Sequence, residues 1–173
     1  MPVCGRDKVD EESRQSWFSH QSEEARPYYY SVYLADHDIK AEIAPTERAA
    51  SCVSRSRIGR VGVVIDAFDR GSYIRVMHDK RTVAGYTTRN SGGVPDNFKN
   101  WFIVRFDRKI RDFQIYDGTK PGRRRTVSRR TRLVRVGFEP ARRAGNGARS
   151  LVVHIADAGR AEPRRLGKDD FET

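Results

Sequence analysis

The feature that most constrains this chain is an alternation of side chains along short segments between Tyr28 and residue 118. In Tyr28–Leu34 the alternate residues Tyr28, Tyr30, Val32 and Leu34 are apolar or aromatic and lie on one face of an extended chain. This pattern is typical of a half-buried β-strand. Turn residues recur at about the 8–12-residue spacing of sandwiches and barrels. No stretch before residue 118 has a helical period. The pattern predicts an all-β protein, an antiparallel β-sandwich.

The alternation also predicts how the strands pair. Residues 39–44 return after a turn at 35–38 and form a hairpin with Tyr28–Leu34. A second hairpin is predicted from residues 73–77 and 82–88. Further strands are predicted at residues 63–68, 101–106 and 113–116, and residues 151–155 are a weaker strand candidate.

Composition divides the chain into four parts. Residues 1–27 are a polar N-terminal arm, 28–118 the sandwich, 119–165 an Arg-rich segment and 166–173 the start of a linker helix. Residues 119–165 hold 14 of the 34 basic and 3 of the 23 acidic residues, so the rest of the chain carries 20 of each. The formal charge of +11 therefore does not describe the predicted sandwich.

Two segments lack the alternation, residues 51–62 and 119–165. The sandwich is therefore expected to be incomplete, with an irregular Arg-rich C-terminal segment. Missing strands would leave unpaired edges and exposed core, so the chain is expected to fold poorly alone.

The loop between the predicted strands 82–88 and 101–106 is the candidate binding site. Its paired glycines can take positive φ or let a partner approach the backbone, and Pro95 fixes the chain after them. Amide side chains and flanking aromatics suit a polar ligand such as a sugar, although a plain structural turn has the same composition. The candidate residues are Asn90, Ser91, Gly92, Gly93, Asn97 and Lys99.

No catalytic residue is assigned in this chain. Asp66 and Asp69 are interpreted as strand-end and turn residues, since nothing in the sequence places two carboxylates across a cleft. Cys4 and Cys52 have no metal-binding or redox spacing, and a disulfide between them stays open. No metal site, cofactor, transmembrane span or signal peptide is predicted.

Several segments resemble glycoside hydrolase family 92, the calcium-dependent exo-acting α-mannosidases. The longest runs from Gly85-Tyr86 through the string from Asn90 to Asn100, Asn-Ser-Gly-Gly-Val-Pro-Asp-Asn-Phe-Lys-Asn. The others are residues 18–20, 25–34, 41–49 and 64–68. The resemblance covers about residues 13–118 and returns at 166–173.

The resemblance implies the N-terminal β-sandwich of a two-domain, typically exported enzyme. A helical catalytic domain outside this chain would carry the catalytic carboxylates and the calcium, with the sugar between the domains. The expected function is therefore part of the site for a glycan with terminal α-mannose, together with packing on the catalytic domain. No membrane partner is expected.

The two irregular segments also depart from the family pattern, which suggests that they are translated out of frame. A one-base shift in GC-rich codons for residues 148–163, or a two-base shift for residues 51–57, can spell sequence similar to the family. The alternative is a genuinely divergent basic segment.

Two other functions remain open. A stand-alone β-sandwich can bind a glycan without hydrolysis. Nucleic acid is an unlikely partner, since Arg123–Arg125, Arg129 and Arg130 could attract phosphate but no recognition motif accompanies them.

Overall fold

The computed structural model describes residues 1–5, 8–56, 61–68, 71–117, 120–121, 133–138 and 149–157. Its helical content there is one turn, α1 (Glu11–Arg14), and two short 3-10 turns. The strands are β1 (Pro2–Cys4), β2 (Glu24–Arg26), β3 (Tyr29–Leu34), β4 (Ile39–Pro45), β5 (Ala49–Ser56), β6 (Val61–Asp66), β7 (Tyr73–Val76), β8 (Thr82–Thr87), β9 (Asn100–Phe106), β10 (Ile110–Asp117), β11 (Lys120–Pro121), β12 (Leu133–Phe138) and β13 (Arg149–Asp157).

These strands form two antiparallel sheets. The small sheet has the order β1-β6-β12-β10-β11, and the large sheet the order β2-β3-β4-β5-β13-β9-β8-β7. The main core lies between β6, β10 and β12 on one side and β7, β8, β9 and β13 on the other. Its largest buried side chains include Phe106, Ile74, Leu151, Val83, Val134 and Val136. The prediction of an all-β antiparallel sandwich is confirmed.

Both predicted hairpins are present, as β3–β4 and β7–β8. In the first, Val32 lies opposite Ala41 and Leu34 opposite Ile39, as the alternation predicted. Val32 and Ile39 are buried, whereas the exposed Tyr33 lies on the other face. The period-2 pattern therefore holds for Val32 and Ile39, whereas Ser31 on the other face is also buried and Ile43 on the predicted inward face is exposed.

The expectation that residues 51–62 interrupt the sheet is wrong for residues 61–62, which lie in β6, and for residues 51–56. Residues 51–56 lie in β5, which pairs with β4 on one side and β13 on the other. Ser54 and Ser56 lie opposite Ala41 and Ile39 and are buried, while Arg55 points away from the core. Small polar residues face inward here, so hydrophobicity alone does not show the alternation.

The Arg-rich segment likewise contains strands within its described part. All six residues of β12 are buried, and β12 pairs with both β6 and β10. β13 contains the candidate strand 151–155 and joins β5 to β9 in the large sheet. The expectation of an irregular segment is therefore wrong for residues 133–138 and 149–157, and the sheets extend beyond residues 28–118. The predicted helix at 166–173 and Arg123–Arg125, Arg129 and Arg130 lie outside the described residues.

Candidate functional site

The loop that joins β8 to β9 is fixed at its first residues by a buried hydroxyl group. The Ser72 side chain donates to the carbonyl oxygen of Ala67 at 3.0 Å and accepts from the backbone N–H of Thr88 at 3.1 Å. The Thr87 hydroxyl donates to the same carbonyl at 2.8 Å. Because Ser72 is fully buried, these bonds are shielded from water and hold the start of the loop against the end of β6.

Asn90 shapes the next part of the loop. Its Oδ1 accepts from the backbone N–H of Gly92 at 2.8 Å, and its Nδ2 donates to the carbonyl oxygen of Thr88 at 3.0 Å. This is an Asx turn, in which an amide side chain replaces a backbone partner. The amide of Asn90 is thus engaged in positioning the loop, although one N–H and one lone pair remain for a ligand.

The two glycines adopt the conformation that the sequence predicted. Gly92 has φ of +99° and Gly93 has φ of +72°, and a Cβ added at either would meet no atom within 4 Å. There is room for a side chain at both positions, so glycine is favoured here by the positive φ and not by a lack of space. An exposed backbone at this point can be approached closely by a ligand.

The remaining candidate residues lie on the exposed part of the loop. Ser91, Asn97 and Lys99 are exposed, and a turn with a bond from the N–H of Phe98 to the carbonyl of Pro95 at 2.9 Å precedes Lys99. The ammonium of Lys99 lies 4.7 Å from the ring centroid of Tyr86, a cation–π contact. The structure brings all six candidate residues into one loop.

A crevice of about 620 Å³ opens between the two sheets beside this loop. Its walls are mostly apolar and come from β6 on one side and from β8, β9 and β13 on the other. Phe68 and Ile155 are 49% and 38% exposed, so apolar surface faces solvent at its mouth. The crevice is lined by Met1, Arg14, Val63–Phe68, Thr87, Arg89, Phe102, Val104, Val153 and Ile155.

Charged groups lie at the rim of the crevice. Nη2 of Arg14 is 2.7 Å from Oδ2 of Asp66, whose Oδ1 accepts from the N–H of Phe68 at 2.8 Å. Arg14 ends α1, which begins where Asp10 accepts a hydrogen bond from the N–H of Ser13. The bonds from Ser13 hold the pKa of the Asp10 carboxyl below its usual range. The guanidinium of Arg89 lies 4.9 Å from the ring centroid of Phe68 and so joins the rim to the loop.

Sequence analysis did not find the crevice, because its walls come from four strands that are distant along the chain. It placed Asp66 at a strand end, where the structure also has it, with Arg14 as its partner. Cys4 and Cys52 are not joined by a disulfide. Within the described ranges, no group of three or more His, Cys, Asp or Glu side chains is arranged to hold a metal ion. No helix in that same part of the chain has the length and apolar character that a membrane crossing requires.

The fold is an antiparallel β-sandwich, and sequence comparison gives its family. The family model of the glycosyl hydrolase family 92 N-terminal domain matches residues 1–147. The chain belongs to this family.

Solved structures agree with this assignment. An inverting mannosidase of the same family from Bacteroides thetaiotaomicron VPI-5482 is 30% identical, with a TM-score of 0.81 over 95% of this chain. A family GH92 alpha-mannosidase from Bacteroides thetaiotaomicron is 23% identical, with a TM-score of 0.70 over 90% of this chain. Its complex with mannoimidazole gives 22% identity and a TM-score of 0.68 over 96% of this chain. The two matches below 25% identity support the fold alone.

The chain is much shorter than these structures. It spans 22%, 23% and 25% of their respective lengths. Among the curated proteins no match was found.

Proposed function

We propose that this chain is the N-terminal, carbohydrate-side domain of an α-mannosidase-like glycoside hydrolase. In this role the loop Asn90–Lys99 contributes part of the site for a glycan with terminal α-mannose, and the apolar crevice packs on a catalytic domain outside the chain. Catalytic carboxylates are assigned to that domain, and no described residue is given a catalytic role.

One observation carries the proposal, namely an apolar crevice that opens beside a loop with exposed polar groups. Apolar walls exposed at Phe68 and Ile155 suit a protein partner. Exposed amide, hydroxyl and ammonium groups on Asn97, Ser91 and Lys99 suit sugar hydroxyl groups. The two features share one end of the sandwich, so a domain seated on the crevice would bring a bound sugar to the loop.

The calcium of the family is proposed to lie in the catalytic domain. The described residues offer no cluster of three or more His, Cys, Asp or Glu side chains, whereas calcium requires six to eight oxygen ligands. Calcium is therefore not expected to change the stability of this chain.

A titration of the chain with methyl α-mannoside, followed residue by residue by NMR, tests the loop assignment. We expect saturable shifts of the Ser91–Lys99 amides at millimolar concentration and no hydrolysis of 4-nitrophenyl α-mannoside. Ser91→Ala and Asn97→Ala should weaken binding, whereas Lys109→Gln, in an exposed turn elsewhere, should not. Shifts confined to other parts of the chain would remove the loop from the sugar site.

The same titration distinguishes the alternative of a stand-alone carbohydrate-binding domain. Binding by the chain alone with a dissociation constant in the micromolar range would favour that alternative, since a site shared with a second domain should be weak when half of it is missing.

The frame-shift interpretation also stays a prediction. It rests on the arginine excess of residues 119–165. The family model matches as far as residue 147, so only residues 148–165 of this segment lie outside the match. Sequencing of the coding DNA tests it, and compensating insertions or deletions should flank residues 51–62 and 119–165. An intact frame in closely similar genes would contradict it.

A further inference from the structure

The large sheet ends at β2, which pairs only with β3 among the described strands. Oε1 of Glu24 lies 2.7 Å from Nε of Arg26, and the two side chains are 44% and 57% exposed. Because residues two apart share one face of a strand, β2 carries a negative and a positive charge side by side. Ala25 between them is exposed as well. An edge strand of this kind presents backbone N–H and C=O groups to which another strand can add.

The charges of β2 are complementary to those of a second, antiparallel copy of the same strand. With a two-fold axis beside Ala25, Glu24 of each copy lies directly opposite Arg26 of the other. Cross-strand pairs of opposite charge stabilise an antiparallel pairing. Two-fold registers centred on Glu24 or on Arg26 would instead place like charges opposite each other. The charges therefore favour the register centred on Ala25.

Three large side chains that border this edge are exposed, namely Trp17, Phe18 and Tyr28, at 68%, 40% and 65%. The carbonyl oxygen of Trp17 accepts from the N–H of Ala35 at 3.0 Å, whereas Ala25 lies opposite Tyr30. The N-terminal arm therefore follows the outer side of β3, with Trp17 toward one end of it and Tyr28 toward the other. In the two-fold arrangement, Tyr28 of each copy comes to the same end as Trp17 of the other, so apolar surface is available at both ends of the paired strands.

The opposite edge of the large sheet has no such complementarity. Its edge strand is β7, in which Arg75 is the single charged residue. In any antiparallel pairing of β7 with its own copy, Arg75 lies opposite itself or an uncharged residue of that strand. Charge therefore distinguishes β2 from β7 as the edge that suits a second copy.

We propose that two copies of this chain associate through β2, antiparallel and about a two-fold axis at Ala25, so that their large sheets become continuous. Backbone hydrogen bonds join the two strands, the pairs between Glu24 and Arg26 set the register, and the exposed aromatic side chains add apolar contact at both ends. The loop Asn90–Lys99 follows β8, near the opposite edge of the sheet, so association leaves this loop open. The inference does not depend on the proposed function.

The contact is short, which predicts weak association. β2 has three residues, and Pro27 follows them with no N–H to extend the hydrogen-bonded ladder. We therefore expect the full chain to be mostly monomeric at about 1 µM and mostly dimeric at about 500 µM, as in the smaller transient interfaces. Sedimentation velocity across this range measures the equilibrium, and higher salt should weaken the association.

Charge reversal tests the register. Glu24→Arg and Arg26→Glu each place like charges opposite one another and should each raise the dissociation constant about tenfold. An equimolar mixture of the two variants should restore association, because each strand then faces the opposite charges of the other. Lys109→Glu is the matched control, since it reverses an exposed charge in the turn between β9 and β10 and should not change the dissociation constant.

A cysteine at the two-fold axis detects even a weak dimer. Directly opposite residues of antiparallel strands have Cα atoms about 4.5–5.5 Å apart, within the range that a disulfide spans. Ala25→Cys in a chain that also carries Cys4→Ser and Cys52→Ser should therefore form a disulfide-linked dimer under mild oxidation. Lys109→Cys in the same background should remain monomeric. The urea midpoint of each variant shows whether it is folded.

Two results would overturn the proposal. Monomer alone at about 500 µM, with no linked dimer from Ala25→Cys, would show that β2 does not join two copies. A dimer that withstands both charge reversals, or a mixture of the two variants that fails to associate, would show that any contact between copies lies on another surface.

Discussion

The guanidinium Nη2 of Arg14 and the carboxylate Oδ2 of Asp66 lie 2.7 Å apart, with side chains only 10% and 17% exposed. The pair joins the N-terminal arm to the end of β6 at the rim of the crevice. Since one charge would remain mostly buried without the other, Arg14→Met should lower the free energy of unfolding by about 2–3 kcal/mol.

Urea denaturation would measure this loss. The matched control is Arg26→Met on β2, whose pair with Glu24 is 57% and 44% exposed and should contribute less than about 1 kcal/mol. Equal losses in the two variants would show that the Arg14–Asp66 pair is no more than a surface ion pair.

Gly85 should be far less tolerant of alanine than Gly92. A Cβ at Gly85 would overlap the Tyr73 carbonyl oxygen and lie 2.9 Å from Cζ of Phe102, so β7 would have to separate from β8. We expect Gly85→Ala to cost about 3 kcal/mol or more, since backbone cannot move aside as a flexible side chain can. At Gly92 only the positive φ opposes a side chain, at a cost of about 1–2 kcal/mol. Urea midpoints in the reverse order would contradict the structure.

His37 should carry a hydrogen on Nε2. Nε2 lies 3.0 Å from the carbonyl oxygen of Arg14, which can only accept, while Nδ1 faces the N–H of Cys4 at 3.5 Å. Long-range ¹⁵N NMR correlations of the imidazole would identify this tautomer. His37→Leu removes the bond to the Arg14 carbonyl oxygen in a buried site and should cost about 1–3 kcal/mol.

His20→Leu is the matched control for that substitution, because the His20 side chain is 86% exposed. It should change stability by less than about 0.5 kcal/mol. A ring hydrogen found on Nδ1 of His37 would contradict the assigned network.

Cys52 should react slowly with alkylating reagents. Burial raises the pKa of its thiol, so the reactive thiolate forms only above the pH range of a free cysteine. Mass spectrometry of the alkylated peptide across pH gives the titration midpoint. A midpoint equal to that of the urea-unfolded chain would contradict this placement.

The same shift has a consequence for stability. Because the folded-state pKa is raised, the contribution of Cys52 is fully present below the pKa of the unfolded thiol and is lost as pH rises through the folded-state value. The urea midpoint should therefore fall less steeply at alkaline pH for Cys52→Ser than for the unchanged chain. Parallel curves for the two proteins would exclude a shifted thiol.

The candidate loop was predictable because its determinants are local. Gly92 and Gly93 adopt positive φ as expected, and Asn90 shapes the turn through its nearest neighbours. The bond that fixes the loop at its start was not predictable, since Ser72 and Ala67 meet Thr88 only after β7 and β8 pair. The strand register that places Tyr73, Tyr86 and Trp101 side by side was not predictable either, since it depends on the pairing of β7, β8 and β9.

The sequence by itself determined the β class, the pairing of the first hairpin and the membership suggested by the Asn90–Asn100 string, since these depend on residue type and spacing. Tertiary structure alone decided that Ser54 and Ser56 face the core, because strand pairing with β4 and β13 outweighs their polarity. It also decided that β12 and β13 complete the two sheets. Pairing between distant strands satisfies backbone groups and buries side chains at once, and no local pattern encodes which strands will meet.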